Sequence, residues 1–249
     1  MPELVYPPVI AAAKTMFRVL DLRLTIEGSQ HVPRTGGAVL ASNHVSYLDF
    51  IFCGYGAQES HRLVRFMAKE SVFRHKVSGP LMRGMKHIPV NRAAGAGSYQ
   101  TAVTALRSGE VVGVFPEATI SRSFTVKELK SGAARMAQQA AVPLLPVAVW
   151  GTQRLWTKGR PRTLTRRHTP ITILVGEPMD PAGYPDATTM TAELRSRLGA
   201  LVDRAQRAYP EQPAGSDDAW WQPAHLGGTA PTPEEAAELD RPGRRARTA

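Results

Sequence analysis

Cysteine is nearly absent: Cys53 is the single thiol in 249 residues. An intramolecular disulfide and a cysteine-ligated metal cluster are therefore excluded, and a reducing, cytoplasmic setting is expected. No run of about 18 apolar residues occurs, so no helix is expected to span a membrane. The opening Met1-Pro2-Glu3-Leu4 has neither the basic region nor the apolar stretch of a secretory signal. Aromatics are only 7 % of the chain, and they are not interleaved with the basic residues as a stacking platform for nucleic acid requires. An RNA-recognition signature, a zinc pattern and a basic heptad region are all missing. Also missing are the G-x-S-x-G elbow of serine hydrolases and the G-x-x-x-x-G-K-[ST] phosphate loop. No repeat of about 20 to 50 residues marks a solenoid. Acidic residues are in deficit, 21 against 31 Lys and Arg, for a net charge of +10. That charge calls for an anionic partner: nucleic acid, an anionic bilayer or a phosphate-bearing substrate.

What is present is a globular composition, 43 % hydrophobic, and a length sufficient for one full core with appendages. Residues 8–20 carry Val9, Ile10, Ala13, Phe17 and Leu20 at helical spacing with Lys14 and Arg18 on the flank, an amphipathic helix that either docks on a membrane or packs on the domain. Short Val/Ile/Leu-rich segments follow at 38–42, 65–68, 86–91, 111–115, 144–150 and 171–175. They alternate with helical stretches that begin at 49 and run over 98–108, 128–141 and 188–208, with Gly109 as a C-cap. The expected fold is α/β, with a mixed, largely parallel central sheet covered by helices on both faces. The expected organisation is an N-terminal helix over 1–20, a main domain over 21–209, and a tail over 210–249. Trp220 and Trp221 would tack that tail to the body, with its basic end mobile.

Three constellations sit where strands end, the place at which α/β sheets bind ligands. In Asn43-His44-Val45-Ser46-Tyr47-Leu48-Asp49, His44 and Asp49 would lie roughly 140° apart on a continuous helix, so they meet only if the chain turns between them. Ser46 as an N-cap supplies that turn. Asp49 then fixes one ring nitrogen of His44 and leaves the other free to take a proton from an alcohol. The plainer reading makes Ser46 and Asp49 a capping box. Arg92 ends the segment Lys86–Arg92 with a fork suited to a phosphate, or it is a solvated surface charge. Glu117 follows Phe115-Pro116, where proline takes the chain out of the sheet. Its carboxylate can orient a diol, hold a cation, or simply sit in a first helical turn.

The order of these pieces resembles the glycerolipid acyltransferase family, whose best-known members are the 1-acylglycerol-3-phosphate O-acyltransferases. Asn43 to Asp49 matches the NHxxxxD motif, Ile88 to Arg92 is similar to the second motif, Phe115 to Thr119 to the third, and Val142 to Val147 to the fourth. The resemblance spans about residues 24–176. It implies that His44, held by Asp49, deprotonates an acceptor hydroxyl that attacks an acyl thioester of coenzyme A or acyl carrier protein. Arg92 would contact the acceptor phosphate and Glu117 would position the acceptor, with Thr119, Arg122, Lys69 and Lys130 as further substrate-binding candidates. It calls for no metal and no cofactor beyond the acyl carrier. Two departures bear on the acceptor. The third motif usually reads FPEGTRS, but Ala118 stands for its glycine and Ile120 for its arginine, a loss that Arg122 is placed to replace; Asn91 replaces the usual Asp before Arg92.

Lysophosphatidate is the expected acceptor, with glycerol 3-phosphate, another lysophospholipid or a glycolipid as alternatives. A non-catalytic basic protein binding membrane or nucleic acid is the distant alternative, and no nucleic-acid partner is expected. Since both substrates are amphiphiles, the chain should work peripherally at the cytoplasmic face of the cell membrane. An anionic surface would be met by the first helix and by Arg62, Arg65, Arg74, Lys76, Arg83 and Lys86. Leu81, Met82 and Met85 either border an acyl-chain groove or belong to the core.

Overall fold

The computed structural model describes residues 3–91 and 95–241. In chain order its elements are α1 (Tyr6–Val19), β1 (Arg23–Glu27), β2 (Ala38–Ser42), α2 (Asp49–Tyr55), β3 (Val64–Lys69), α3 (Glu70–Arg74), α4 (Ser78–Gly84), β4 (Ile88–Val90), α5 (Gly95–Arg107), β5 (Val111–Val114), α6 (Gly132–Ala140), β6 (Leu144–Trp150), β7 (Pro170–Val175), α7 (Ala187–Arg207) and α8 (Pro233–Asp240). The strands form one seven-stranded sheet in the order β1-β7-β6-β2-β5-β3-β4. Every pairing is parallel except β6 with β7, so β1 and β7 run against the other five strands. This is the mixed, largely parallel α/β sheet expected.

Strand β2 lies at the middle of that order and is buried along its whole length. Successive side chains of a strand point to opposite faces. Val39 and Ala41 therefore enter the core shared with α5, α6 and α7, while Ala38 and Leu40 enter the core beneath α1 and α2. Cys53 of α2 lies in this second core, fully buried, and burial pushes its thiol up to about 12.

Helix α1 uses its apolar stripe for packing. Phe17 stacks on Phe52 of α2 with ring centroids 4.8 Å apart, and the Tyr6 hydroxyl donates to the Val64 carbonyl at 2.7 Å. Lys14, Thr15 and Arg18 face outward. The tail is also anchored: Trp221 is buried, with the Arg154 guanidinium 4.4 Å from its ring, while Arg160 sits 4.9 Å over the ring of Trp220. Helix α8 starts with a capping box, Thr232 accepting from the Glu235 N–H and Glu235 accepting from the Thr232 N–H.

Two expectations shift. Helix α6 begins at Gly132 rather than near residue 128, because the Lys130 N–H is committed to the Pro116 carbonyl at 2.9 Å and holds that segment in a loop. The six-residue basic cluster is not one exposed face. Arg62 donates to the carbonyls of Pro33 and Gly36; Arg65 is buried between Glu3 and Glu110; Lys86 pairs with Glu3; and Arg83 donates to the Phe73 carbonyl. Arg74, paired with Glu70, Lys76, Arg83 and Lys86 are exposed, whereas Arg65 is buried and Arg62 half-buried. No helix among the described residues is long and apolar enough to cross a membrane.

Candidate active site

The carboxyl ends of β2, β5 and β6, adjacent parallel strands, deliver the central residues. After β2 the chain loops through Asn43 to Leu48 before α2 begins at Asp49. Asn43 locks the start of that loop to β6: its side-chain amide donates to the Val149 carbonyl at 3.0 Å and its oxygen accepts the Val149 N–H at 2.7 Å. The loop doubles back, so His44 Nδ1 lies 3.0 Å from Asp49 Oδ2. The same Oδ2 accepts the N–H groups of Val45 and Ser46, each at 2.7 Å, and Oδ1 accepts the Thr152 hydroxyl at 2.6 Å. Asp49 is fully buried, which a carboxylate tolerates because all these donors point at it. Asp49 therefore both satisfies backbone N–H groups and orients His44, without forming the capping box. Ser46 is not the N-cap. Leu48 occupies that position, while Ser46 Oγ donates to the Trp156 carbonyl at 2.6 Å and accepts the Leu48 N–H at 3.0 Å.

Since a carboxylate oxygen only accepts, His44 Nδ1 carries the hydrogen in this contact, and Nε2 is left with a lone pair. The His44 side chain is 20 % exposed. One face of the ring lies on Phe115, with centroids 4.2 Å apart and planes 23° apart, and Phe115 stacks in turn on Phe66 at 6.1 Å.

Glu117 is turned inward rather than toward open solvent. Its Oε1 accepts the His44 N–H at 2.8 Å and its Oε2 accepts the Lys127 N–H at 3.0 Å. Burial raises its pKa to about 7, against the lowering effect of those two N–H groups. In this arrangement Glu117 braces the His44 loop. Ala118 takes φ 61°, a left-handed conformation that a glycine adopts without strain. Thr119 is half-buried on that turn, and Ile120 is buried where the family carries arginine.

Arg122 points into a cationic group. Its Nε lies 3.2 Å from Asp240 Oδ1, Lys127 Nζ lies 3.4 Å from Asp240 Oδ2, and Lys158 pairs with the same carboxylate. Burial works to raise the Asp240 pKa, but these cations outweigh it and the net shift is downward. Lys69 is exposed at the end of β3, and Lys130 is exposed beside Pro116. Arg92 lies outside the described residues. Thr152, Lys127, Lys158 and Asp240 were not foreseen, nor was the stacking of the third motif's Phe115 on the imidazole. Thr152 is 103 residues from Asp49, and no local motif announces such a contact.

Between α1, α2 and β3 lies a mainly apolar cavity of about 250 Å³, lined among others by Tyr6, Ile10, Phe50, Phe66 and Met85. Leu81 is exposed and Met82 is buried outside that lining.

At the carboxyl edge of this α/β sheet the chain thus brings together a buried carboxylate and the imidazole it orients. Residues 23–150 match the acyltransferase family profile, about half of the chain, and the chain belongs to that family. Among its relatives, the 1-acyl-sn-glycerol-3-phosphate acyltransferase of Bacillus subtilis is 28 % identical over 199 residues, which cover 78 % of this chain and 90 % of that one. The enzyme of the same name from Limnanthes douglasii is 30 % identical over 159 residues, covering 62 % and 54 %. The crystal structure of the 1-acyl-sn-glycerophosphate (LPA) acyltransferase PlsC from Thermotoga maritima shares the fold, with a TM-score of 0.71 at 24 % identity, over 82 % of this chain and 81 % of that one.

Proposed function

We propose that this acyltransferase moves a fatty acyl group from a thioester of coenzyme A or acyl carrier protein to the free hydroxyl of 1-acylglycerol 3-phosphate, with His44 as general base. The observation that carries this reading is the 3.0 Å contact of His44 Nδ1 with Asp49, a carboxylate fixed on every side by other donors. It commits Nδ1 and presents Nε2 as the basic atom. Nε2 takes the proton of the acceptor hydroxyl as the oxygen attacks the thioester carbonyl. The carbon–sulfur bond of the resulting tetrahedral adduct then breaks, and the thiolate recovers the proton from the imidazolium. Phe115 holds the ring plane from one face, so the base does not have to be reoriented during the reaction. The names of the relatives support lysophosphatidate as acceptor. The cavity at Phe66, joined to His44 by the stacked ring of Phe115, supports a place for an acyl chain.

Work on such amphiphiles places the chain at a bilayer. Exposed Val72, Val77 and Leu81 on the α3–α4 segment, beside Lys69, Arg74 and Lys76, offer an apolar and basic face to anionic lipid. The reaction is tested by incubating the pure chain with palmitoyl-coenzyme A and a panel of glycerol 3-phosphate, lysophosphatidate, other lysophospholipids and glycolipids, with products identified by mass spectrometry. Phosphatidate formation, lost about 100-fold or more in a folded His44→Ala variant, is the expected result. A fully active, folded His44→Ala chain refutes the general-base role.

A further inference from the structure

Arg122 and Lys127 lie on the loop between β5 and α6, and Lys158 lies between β6 and β7, yet each stretch is fastened to the His44 loop. The Ser121 N–H, next to Arg122, donates to the His44 carbonyl at 2.7 Å. The Lys127 N–H holds the carboxylate that receives the His44 N–H. The Thr157 hydroxyl, next to Lys158, donates to the Val45 carbonyl at 2.6 Å. The segments that hold the His44 loop therefore also carry these three cations. All three pair with one carboxylate, Asp240 at the last position of α8. Their side chains are between 14 and 32 % exposed, so salt screens them less than a surface pair.

Two features mark Asp240 as a poor permanent partner. Among the described ion pairs, three cations converge on this one carboxylate, more positive charge than a monoanion neutralises. A carboxylate at the C-terminus of a helix also opposes the helix dipole, so α8 gains nothing from having it there. A phosphomonoester brings between one and two negative charges and three acceptor oxygens, a closer match to three donors than two carboxylate oxygens. Lys158 and Asp240 both lie beyond residues 23–150, and Ile120 leaves the usual arginine position of the third motif apolar.

We propose that Arg122, Lys127 and Lys158 form the binding site for the phosphomonoester headgroup of the acceptor, and that Asp240 is a built-in counter-anion which that headgroup displaces. The site rests on the acyl-transfer reading for the identity of its ligand. Until the headgroup arrives, α8 closes the cationic patch against other anions. Binding exchanges the Asp240 carboxylate for the phosphate and frees the end of α8.

The test is calorimetric titration of the full chain with sn-glycerol 3-phosphate at low salt, with inorganic phosphate as a second probe and acyl transfer measured in parallel. Asp240→Asn should tighten glycerol phosphate binding about tenfold or more, and Lys158→Gln in the otherwise unchanged chain should weaken it by a similar factor. Thermal melts establish that each variant is folded, and the lysine variant decides the matter if the aspartate variant is not. Affinity that ignores both substitutions overturns the site. Binding of inorganic phosphate alone, uncontested by glycerol phosphate, overturns the headgroup assignment. Acyl transfer with unresponsive anion binding refutes this site and leaves the reaction standing. Anion binding that obeys the substitutions, in a chain that transfers no acyl group, sustains a phosphomonoester site and refutes the reaction.

Discussion

Asp49 joins the orientation of His44 and the stability of its loop in one side chain, because the oxygen that faces His44 also accepts two backbone N–H groups. Its other oxygen depends on Thr152. Thr152→Val keeps the volume and deletes that donor, leaving a buried carboxylate oxygen unpaired. We expect a loss of about 2 kcal/mol in urea unfolding and a lower kcat with the acceptor KM little changed, since Thr152 acts through Asp49. Glu117 yields a pH prediction. Its folded pKa near 7 lies above the ordinary 4.5, so the folded state holds a proton that the unfolded state has released. The stability it contributes is full below about pH 4.5 and is lost as pH rises through 7. Carbon-13 NMR of the Glu117 carboxyl should show a midpoint near 7; one near 4.5 removes the effect. Much of the site was legible in the sequence. His44 and Asp49 were readable because their chemistry lies within one loop, and Glu117 because proline ends the strand before it. Its inward aim was not readable, since the two N–H groups that turn it lie 73 and 10 residues away.

At the scale of elements, the third-motif turn carries strain. Ala118 stands at φ 61°, which costs a non-glycine residue about 1 kcal/mol or more. Ala118→Gly relieves the turn while adding flexibility to the unfolded chain. The net expectation is a gain of about 0.5 kcal/mol, measured as a shift in the urea midpoint at constant slope; a loss of stability contradicts it. The strands were legible nearly to the residue, β2 and β6 with the bounds expected, because they are buried along their whole length and read as uninterrupted apolar runs. Helix α8 was not anticipated, although Thr232-Pro233-Glu234-Glu235 is a helix-start pattern. It is short, it follows a stretch rich in Pro and Gly, and its role depends on cations from loops more than 70 residues away.

For the whole molecule, α1 lays its apolar stripe on protein. Tyr6 and Phe17 are buried against the body, so removing residues 1–20 uncovers the rings of Phe52 and Tyr55, on which Phe17 packs. We expect the shortened chain to melt several degrees lower, while its binding to phosphatidylglycerol vesicles stays salt-dependent through the α3–α4 face and the net charge of +10. Vesicle binding abolished with no change in melting would assign α1 to the membrane instead. Composition raised the expectation of an anionic partner, but it did not reveal that Arg65 is buried between Glu3 and Glu110 or that Arg62 is tied to the Pro33 and Gly36 carbonyls.

The solitary sulfur of Cys53, sealed in the core under α1 and α2 with its proton held to about 12, gives the protein an internal clock. A thiolate-seeking reagent has no other target in the chain and finds this one only when that layer opens. The rate of labelling therefore counts opening events, and any lipid or headgroup that steadies the α1–α2 layer should register as slower alkylation without a single added dye or mutation.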